Sequence, residues 1–174
     1  MYNHLRRFLA FLFAIAVFYL GIKSESIFYP AISVIFLGEV IRIWAAGYIR
    51  KKKVLSVVGP YRYVRNPLYV GSFFIGIGFG LFIRNFYVLF SIVVFFVLIY
   101  TMQINSEEKQ LETIFGEQYL EYKRNINRWF PGFKPYRIIN EDGKFDIKLA
   151  IVKNKEYNAV LGCLGMIALI LIFR

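Results

Sequence analysis

The sequence predicts an all-α membrane protein with about five transmembrane helices and a polar region on the cytoplasmic side. Of the 174 residues, 58% are hydrophobic and only 19% are charged, whereas a soluble domain has about 45–50% apolar and about 25% charged residues. The apolar residues are also clustered into runs that approach the roughly 20 residues needed to cross a bilayer. Most Lys and Arg residues fall in two of the segments between these runs. Together these observations predict a single integral-membrane domain over residues 1–174.

Five apolar runs supply the predicted membrane helices, and they cover residues 8–22, 27–48, 68–83, 86–104 and 158–173. The first run follows a basic start but precedes no small-residue cleavage site, so we interpret it as a helix and not as a signal peptide. Arg84 and Asn85 alone separate the third run from the fourth, which predicts a tight hairpin. Three glycines in the third run, Gly76, Gly78 and Gly80, predict close packing of that helix against its neighbours.

The polar sequence after the fourth run predicts a further helix. In SEEKQLETIFGEQYLEYKRNI, apolar and aromatic side chains recur every three or four residues, which is typical of a helix that buries one face. This helix would continue the fourth membrane helix into the cytoplasm, with a mild interruption at Gly116. The prolines and the glycine of WFPGFKPY are expected to end it, and NEDGK at 140–144 predicts a turn.

The distribution of positive charge predicts the orientation in the membrane. With the amino terminus inside, 18 of the 22 Lys and Arg residues lie in cytoplasmic segments, and Lys23, Arg84 and Arg174 lie outside. The opposite orientation would violate the positive-inside rule. The segments 49–67 and 105–156 are therefore expected to face the cytoplasm together. The net charge of +11 then reflects cytoplasmic loops beside anionic lipids, and no nucleic-acid partner is predicted.

The segment VVGPYRYVRNPLYVGS at 57–72 is unusually polar and aromatic for its place between two apolar runs. Its three tyrosines, Tyr61, Tyr63 and Tyr69, form either the wall of a pocket or an interfacial belt, in which tyrosine is enriched. Asn66 and Pro67 suit the N-cap and the first position of the third helix. The amino terminus of such a helix can hold a carboxylate or a phosphate.

Four other charged residues have two interpretations each. Glu107 and Glu108 are either an exposed helix face, where charged residues usually lie, or part of a site. Glu39 and Arg42 are one helical turn apart in an apolar run, where ionisable residues are costly and usually paired or functional. A functional or paired Arg42 would orient a carboxylate or phosphate of an acceptor or hold Glu39 as a structural partner. The alternative is that Arg42 extends to the inner membrane surface, about 10 Å away, and has no such role.

The sequence lacks the residues of the common acid–base and metal centres. His4, at the start of the chain, is the only histidine, and the single Cys163 excludes a disulfide within the chain. No metal-ligand cluster is recognisable, and no metal site is predicted. A reaction catalysed by such a chain would need little acid–base chemistry, as in the transfer of an activated group to an acceptor that is already nucleophilic.

Three ordered blocks of the sequence resemble a known family. GPYRYVRNPLYVG is similar to the Arg-His-Pro-x-Tyr-x-Gly motif of the isoprenylcysteine carboxyl methyltransferase and phospholipid methyltransferase family. EEKQLETIFGEQYLEYKRN with RWFPGF resembles that family's Glu-Glu, Leu, Phe-Gly, Tyr, Tyr, Pro block, and IRIWAAGYIRK resembles the segment before the first motif. The three blocks extend over about residues 38–135. The chain is thereby identified as an integral-membrane, prokaryotic-type member of this family.

The resemblance implies an S-adenosylmethionine-dependent methyltransferase with a cytoplasmic catalytic region at about 57–72 and 105–135. The cofactor would enter from the cytoplasm and a lipophilic acceptor from the bilayer. The cofactor-binding residues implied are Tyr61, Arg65, Asn66, Pro67, Tyr69, Gly71, Glu107, Glu108, Tyr119 and Tyr122. The catalytic candidates are Glu108, Arg128 and Asn125. The acceptor would be a lipid or lipidated small molecule with a carboxyl or amine head group.

The chain departs from the family pattern at two places. Asn66 replaces the histidine usual in the carboxyl methyltransferases. Asn125-Ile126-Asn127 stands where those enzymes tend to have Arg-Val-Pro, which removes an arginine that could bind an acceptor carboxylate. Arg124 and Arg128 are candidates to replace it. The alternative function is a non-catalytic membrane scaffold or a relative that has lost methyltransferase activity. The absence of a retention or transit signal favours a prokaryotic cell membrane.

Overall fold

A computed structural model of the chain describes residues 12, 14–24, 26–50, 54–136 and 143–174, which contain helices and no strand. We label the helices α1 (14–22), α2 (Ala31–Ala46), α3 (Pro67–Ile83), α4 (Phe86–Phe115), α5 (Glu117–Asn125) and α6 (Tyr157–Phe173). A 3₁₀ turn (Gly59–Arg62) precedes α3, and a π-helical turn (Leu149–Lys153) precedes α6. The predicted all-helical class is confirmed, and each predicted apolar run contains one of these helices.

The membrane spans are confirmed only in part. Within the described ranges, α4 alone is both long enough and apolar enough to cross a bilayer. The helices α3 and α6 are apolar but have 17 residues each, somewhat fewer than the roughly 20 that a full span needs. The predicted number of five transmembrane helices therefore remains a prediction.

Glycines allow α3 to pack closely against α2 on one side and α4 on the other. A Cβ atom built on Gly71 would lie 2.6 Å from the carbonyl oxygen of Gly38 in α2. One on Gly78 would lie 2.5 Å from the side chain of Ile35, also in α2. On the opposite side, Gly76 and Gly80 leave room for side chains of α4. The sequence prediction that the glycines mediate helix packing is therefore correct, and each of these positions excludes a larger side chain.

The predicted hairpin between α3 and α4 is present. Arg84 adopts the left-handed conformation with φ 54°, and Asn85 caps α4 by accepting a hydrogen bond of 3.1 Å from the amide of Val88. Ser24, which follows α1, donates to the carbonyl of Ile83 at 2.7 Å. Arg174 in turn donates to the carbonyl of Ser24 at 3.1 Å. The α1–α2 connection, the hairpin and the end of α6 thus meet at one end of the helical bundle.

The helix predicted after the fourth apolar run exists, but it is not continuous. The helix α4 runs to Phe115, and Gly116 then adopts φ 54° and ψ −129°, which breaks the helical path before α5 starts. The interruption at Gly116 is thus stronger than the mild one predicted. The helix α5 ends at Asn125, before the prolines, because Ile126 is extended. The first three residues of the turn predicted at 140–144 lie outside the described residues.

The pairing of Arg42 with Glu39, one of the alternatives for these residues, is not found in the structure. Nε and Nη2 of Arg42 donate to Oε2 of Glu156, at the start of α6, over 3.1 and 2.8 Å. Its Nη1 donates to the hydroxyl of Ser72 in α3. Glu39 instead accepts a hydrogen bond from Cys163 of α6 at 3.1 Å. Arg42 contacts α3 and α6, and its ion-pair partner is Glu156, 114 residues away in sequence, instead of Glu39 in its own helix.

We expect Arg42→Ala to destabilise the protein, since it leaves Glu156 buried without its ion-pair partner. Breaking a buried pair costs about 3–5 kcal/mol, and we expect the lower end because 21% of the Arg42 side chain is exposed. Thermal unfolding in detergent should report an earlier transition. Glu39→Gln is the matched control, because it removes a carboxylate from the same helix without touching this pair. Equal melting of the two variants would contradict the structural role of Arg42.

Candidate functional site

The segment 57–72 folds against residues 126–136, so the two polar motifs of the sequence meet. Three main-chain hydrogen bonds join them. The amide of Arg65 donates to the carbonyl of Asn127 at 2.9 Å, that of Gly132 to Tyr63 at 2.8 Å, and that of Tyr136 to Arg62 at 2.9 Å. Because main-chain groups make these contacts, the contacts do not depend on which side chains stand at these positions.

Local conformation places Tyr61 in the interior. Gly59 has φ 59°, and a Cβ atom there would lie 2.3 Å from the ring of Tyr48, so only glycine fits. Pro60 follows in the 3₁₀ turn, and Tyr61 is buried. The hydroxyl of Tyr122 in α5 donates to the carbonyl oxygen of Tyr61 at 2.7 Å. The turn before α3 is thereby tied to α5.

The centre of the site is a buried carboxylate between two guanidinium groups. Glu108, in the polar carboxyl-terminal part of α4, is only 3% exposed. Its Oε2 accepts a hydrogen bond of 2.6 Å from Nη2 of Arg128, and its Oε1 lies 3.6 Å from Nη2 of Arg65. Arg65 also donates to the carbonyl of Lys123 at 3.2 Å, and Arg128 donates to the side chain of Asn105 at 2.9 Å. Charge attraction is strong in such a water-poor place, so this triad holds α4, the start of α3 and the 126–136 segment together.

Two polar atoms of this triad lack a hydrogen-bond partner among the described residues. They are Oε1 of Glu108 and Nε of Arg65, and both are buried. The distance of 3.6 Å between Oε1 and Nη2 of Arg65 is compatible with an ion pair but too long for a hydrogen bond. A buried polar atom without a partner costs about 1–3 kcal/mol. The site therefore suits a ligand that offers a donor to Glu108 and an acceptor to Arg65.

The neighbouring carboxylate has different surroundings. Glu107 accepts hydrogen bonds through Oε1 from the hydroxyl of Tyr69 at 2.7 Å and from the amide of Gln103. The ring of Tyr69 contacts that of Tyr100 edge to face, with 4.9 Å between centroids, and Tyr100 stacks on Phe96 at 4.2 Å. Glu107 thus lies at the end of an aromatic row that follows α4 toward its apolar part.

Burial keeps three phenols of the site in their neutral form. Tyr119 and Tyr122 of α5 are 1% and 2% exposed, and Tyr61 is also buried. Loss of hydration on burial raises the pKa of each of these tyrosines well above its ordinary value. None of the three is a base at neutral pH, so their role is to pack in the interior, and Tyr122 also donates a hydrogen bond.

Most of the predicted site residues lie around the triad, whereas Pro67, Gly71 and Asn125 lie elsewhere. Asn66 occupies the N-cap position of α3, but its side chain donates to the carbonyl of Arg128 at 3.3 Å and does not cap the helix. Pro67 is buried at the first position of α3, and Gly71 faces α2. Asn125 is exposed and donates to the carbonyl of Glu121 at 2.8 Å, so the structure does not bring it to the triad.

The sequence analysis did not single out three residues that contact the site or its aromatic row, although two of them, Asn105 and Trp129, lie in the predicted catalytic region. Asn105 and Gln103 lie three and four residues before Glu108 and Glu107, respectively, and this spacing places each on the same helix face as its glutamate. That signal was available in the sequence. Trp129, whose ring lies 5.8 Å from that of Phe96, could not be found in this way, because its contact joins separate segments.

We expect alkaline pH to unfold this region. The folded pKa of Tyr61, Tyr119 and Tyr122 is raised, so their contribution to stability is complete below the ordinary tyrosine pKa of about 10 and is lost as the pH rises above it. Ultraviolet difference absorbance should show that these phenols ionise together with unfolding. Tyr122→Phe should lower the alkaline loss of stability, whereas Tyr63→Phe, at an exposed position, should not. Ionisation of all tyrosines near pH 10 without unfolding would contradict the burial of these groups.

Comparison with known proteins agrees with the positions of these motifs. The family model for phospholipid methyltransferases matches residues 9–118, which is more than half of the chain. The match contains Arg65, Tyr69 and both glutamates and ends before Tyr119.

Three curated proteins are similar to parts of the chain. Protein-S-isoprenylcysteine O-methyltransferase of Schizosaccharomyces pombe is 34% identical over 83 residues, 47% of this chain and 34% of that protein. The cobalt-zinc-cadmium resistance protein CzcN of Cupriavidus metallidurans is 35% identical over 103 residues, 58% of this chain and 47% of the relative. The nickel-cobalt-cadmium resistance protein NccN of Alcaligenes xylosoxydans xylosoxydans is 34% identical over 98 residues, 55% and 46% respectively. The match thus spans about half or less of each of these relatives.

Proposed function

The chain belongs to the phospholipid methyltransferase family, and on this premise we propose that it transfers a methyl group from S-adenosylmethionine to a lipophilic acceptor at the cytoplasmic face of a membrane. The observation that carries the proposal is the buried triad of Arg65, Glu108 and Arg128 with its two unpartnered polar atoms. A scaffold would gain nothing from a buried donor and acceptor left open, because their desolvation lowers its stability.

The residues of the triad fit the amino-acid end of the proposed cofactor. That end carries an ammonium group and a carboxylate next to each other. Oε1 of Glu108 can accept a hydrogen bond from an ammonium group, and Nε of Arg65 can donate one to a carboxylate. Charge-assisted hydrogen bonds of this kind are the strong ones in proteins. These two atoms could therefore bind the ammonium group and the carboxylate of one zwitterionic ligand.

When bound, S-adenosylmethionine supplies an electrophilic methyl group on a sulfonium, which leaves as a neutral thioether once an oxygen or nitrogen of the acceptor takes the methyl. The chain's own contribution is to position the reactants and exclude water. Glu108 and its arginines anchor the ligand at the buried triad. The buried phenols of Tyr119 and Tyr122 lie near Glu108 and Arg65 and help to exclude water. A carboxylate acceptor is nucleophilic as its anion and needs no base, which agrees with the neutral tyrosines.

Two observations support an acceptor with an apolar tail. One relative is a protein-S-isoprenylcysteine O-methyltransferase, and its name states that the substrate carries an isoprenyl chain. The rings of Phe73, Phe96, Tyr100 and Tyr69 form a continuous row between α3 and α4 that ends at Glu107. Such a row offers apolar surface from the membrane part of α4 to the polar site. We propose that the acceptor approaches along it from the bilayer.

The proposed orientation places the triad inside the cell. Ser24, Phe28, the hairpin at 84–85 and Arg174 lie at one end of the bundle, while the triad, α5 and the 126–136 segment extend beyond the other. The positive-inside rule assigns this second, Lys- and Arg-rich end to the cytoplasm of a prokaryotic cell.

We expect the purified protein to bind S-adenosylmethionine, and Glu108→Gln to weaken this binding. Loss of a charge-assisted hydrogen bond should cost about 1.5–3 kcal/mol, which is roughly a 10- to 150-fold rise in Kd. Titration calorimetry in detergent measures it, and Glu121→Gln on the outer face of α5 is the matched control, expected to bind as the unaltered chain does. Equal affinity of both variants would place the cofactor elsewhere.

We expect methyl transfer to a component of a membrane lipid extract. Labelled S-adenosylmethionine, the protein in lipid and mass spectrometry of the products identify both the acceptor and the methylated atom. Transfer to water-soluble acceptors with none to any lipid would overturn the lateral approach. Binding of the cofactor with no transfer to any acceptor would favour a relative that has lost its activity.

We expect Gln118→Cys to react with a membrane-impermeant maleimide only after cells are opened, and Lys23→Cys to react in intact cells. Both side chains are exposed in the fold, so accessibility depends on the side of the membrane alone. Labelling should be carried out in a Cys163→Ser background, in which no other cysteine reacts. The reverse labelling pattern would show the opposite orientation and contradict a cytoplasmic site.

A further inference from the structure

Two phenylalanines project from the loop 129–134 with almost no contact to the rest of the described chain. Phe133 is fully exposed and Phe130 is 78% exposed. Lys134 beside them is exposed as well. Exposed aromatic side chains of this size next to each other mark a surface that normally contacts something else.

The loop holds these side chains in place and is not a loose tail. The amide of Gly132 donates to the carbonyl of Tyr63, and the amide of Tyr136 donates to that of Arg62. Pro131 and Pro135 further restrict the backbone. The fold therefore keeps Phe130 and Phe133 exposed, and contact of their apolar rings with water is unfavourable.

The depth of the loop along α4 indicates what covers it. The side chain of Arg128 reaches Asn105, whereas the ring of the next residue, Trp129, reaches that of Phe96. These two positions of α4 are about 13 Å apart along the helix axis. Trp129 thus extends toward the apolar part of α4 while Arg128 stays at its polar part. Since consecutive Cα atoms are about 3.8 Å apart, the residues that follow must lie near the same polar–apolar boundary.

We propose that the loop 129–134 inserts into the cytoplasmic leaflet, with Phe130 and Phe133 among the acyl chains and Lys134 at the anionic head groups. Aromatic residues favour this interface, and lysine is attracted to its negative surface potential. The partner is therefore a lipid layer and not a soluble protein. The inference rests on the membrane orientation proposed above, and it extends the proposed function by placing the segment that carries Arg128 in contact with the layer that supplies the acceptor.

The test uses the full chain in lipid nanodiscs of phosphatidylcholine and phosphatidylglycerol. Phe133→Cys and, separately, Phe130→Cys are labelled with the environment-sensitive dye NBD in the Cys163→Ser background, in which the serine can still donate to Glu39. Gln118→Cys on α5 carries the same dye as a matched control. Spin-labelled lipids quench dyes in the bilayer, and iodide quenches dyes in water. Thermal unfolding of each labelled protein verifies the fold.

We expect spin-labelled lipid to remove most of the fluorescence at positions 130 and 133 while iodide has little effect, and the reverse at position 118. Quenching by iodide to the same extent at all three positions would overturn the proposal. Protection of positions 130 and 133 from both quenchers would overturn it too, because a protein surface would then cover the loop. The experiment contains no S-adenosylmethionine, so its failure is separate from a failure of cofactor binding.

Discussion

The buried ion triad around Glu108 determines how the polar end of α4 packs against the segments before α3 and after α5. A carboxylate that is 3% exposed is tolerated only with compensating positive charge, since an isolated buried charge is very costly. Arg65 arrives from the turn before α3 and Arg128 from the segment after α5. Both segments must therefore come to the same turn of α4. The main-chain hydrogen bonds between them and the Tyr122 contact then follow from this convergence.

A second ion pair joins α2, α3 and α6 in the same way. Arg42 of α2 contacts Glu156 and Ser72, so α2, α3 and the start of α6 are joined at one place. The glycine contacts between α2 and α3 bring the backbone close enough for the arginine to reach across. Close packing and ion pairing thus depend on each other here, because a side chain larger than glycine at position 71 would displace Arg42.

The sequence was sufficient for the elements and for the residues of the two motifs, and insufficient for their partners. Apolar runs and glycines predict helices and packing faces because both are local properties of the chain. The spacing of Asn105 and Glu108 was equally local and could have been used. Glu39 was one of the partners considered for Arg42 because it is near in sequence, whereas the actual partner, Glu156, follows from how α6 returns to α2. Trp129 and Asn66 are similar cases, since their contacts depend on the path of the segment 126–136.

The two adjacent glutamates illustrate how the fold separates roles that the sequence leaves equivalent. Successive positions on a helix point in directions about 100° apart, so Glu108 turns toward the guanidinium groups while Glu107 turns toward Tyr69 and Gln103. Arginines surround the first carboxylate, whereas only neutral donors surround the second. In the proposed reaction, the zwitterionic amino-acid end of the cofactor meets groups of both charge signs at Glu108 and its arginines, which favours Glu108 as the anchor of that end. A group that carries positive charge alone meets no competing arginine at Glu107, which favours Glu107, at the end of the aromatic row, as the carboxylate nearer to the sulfonium.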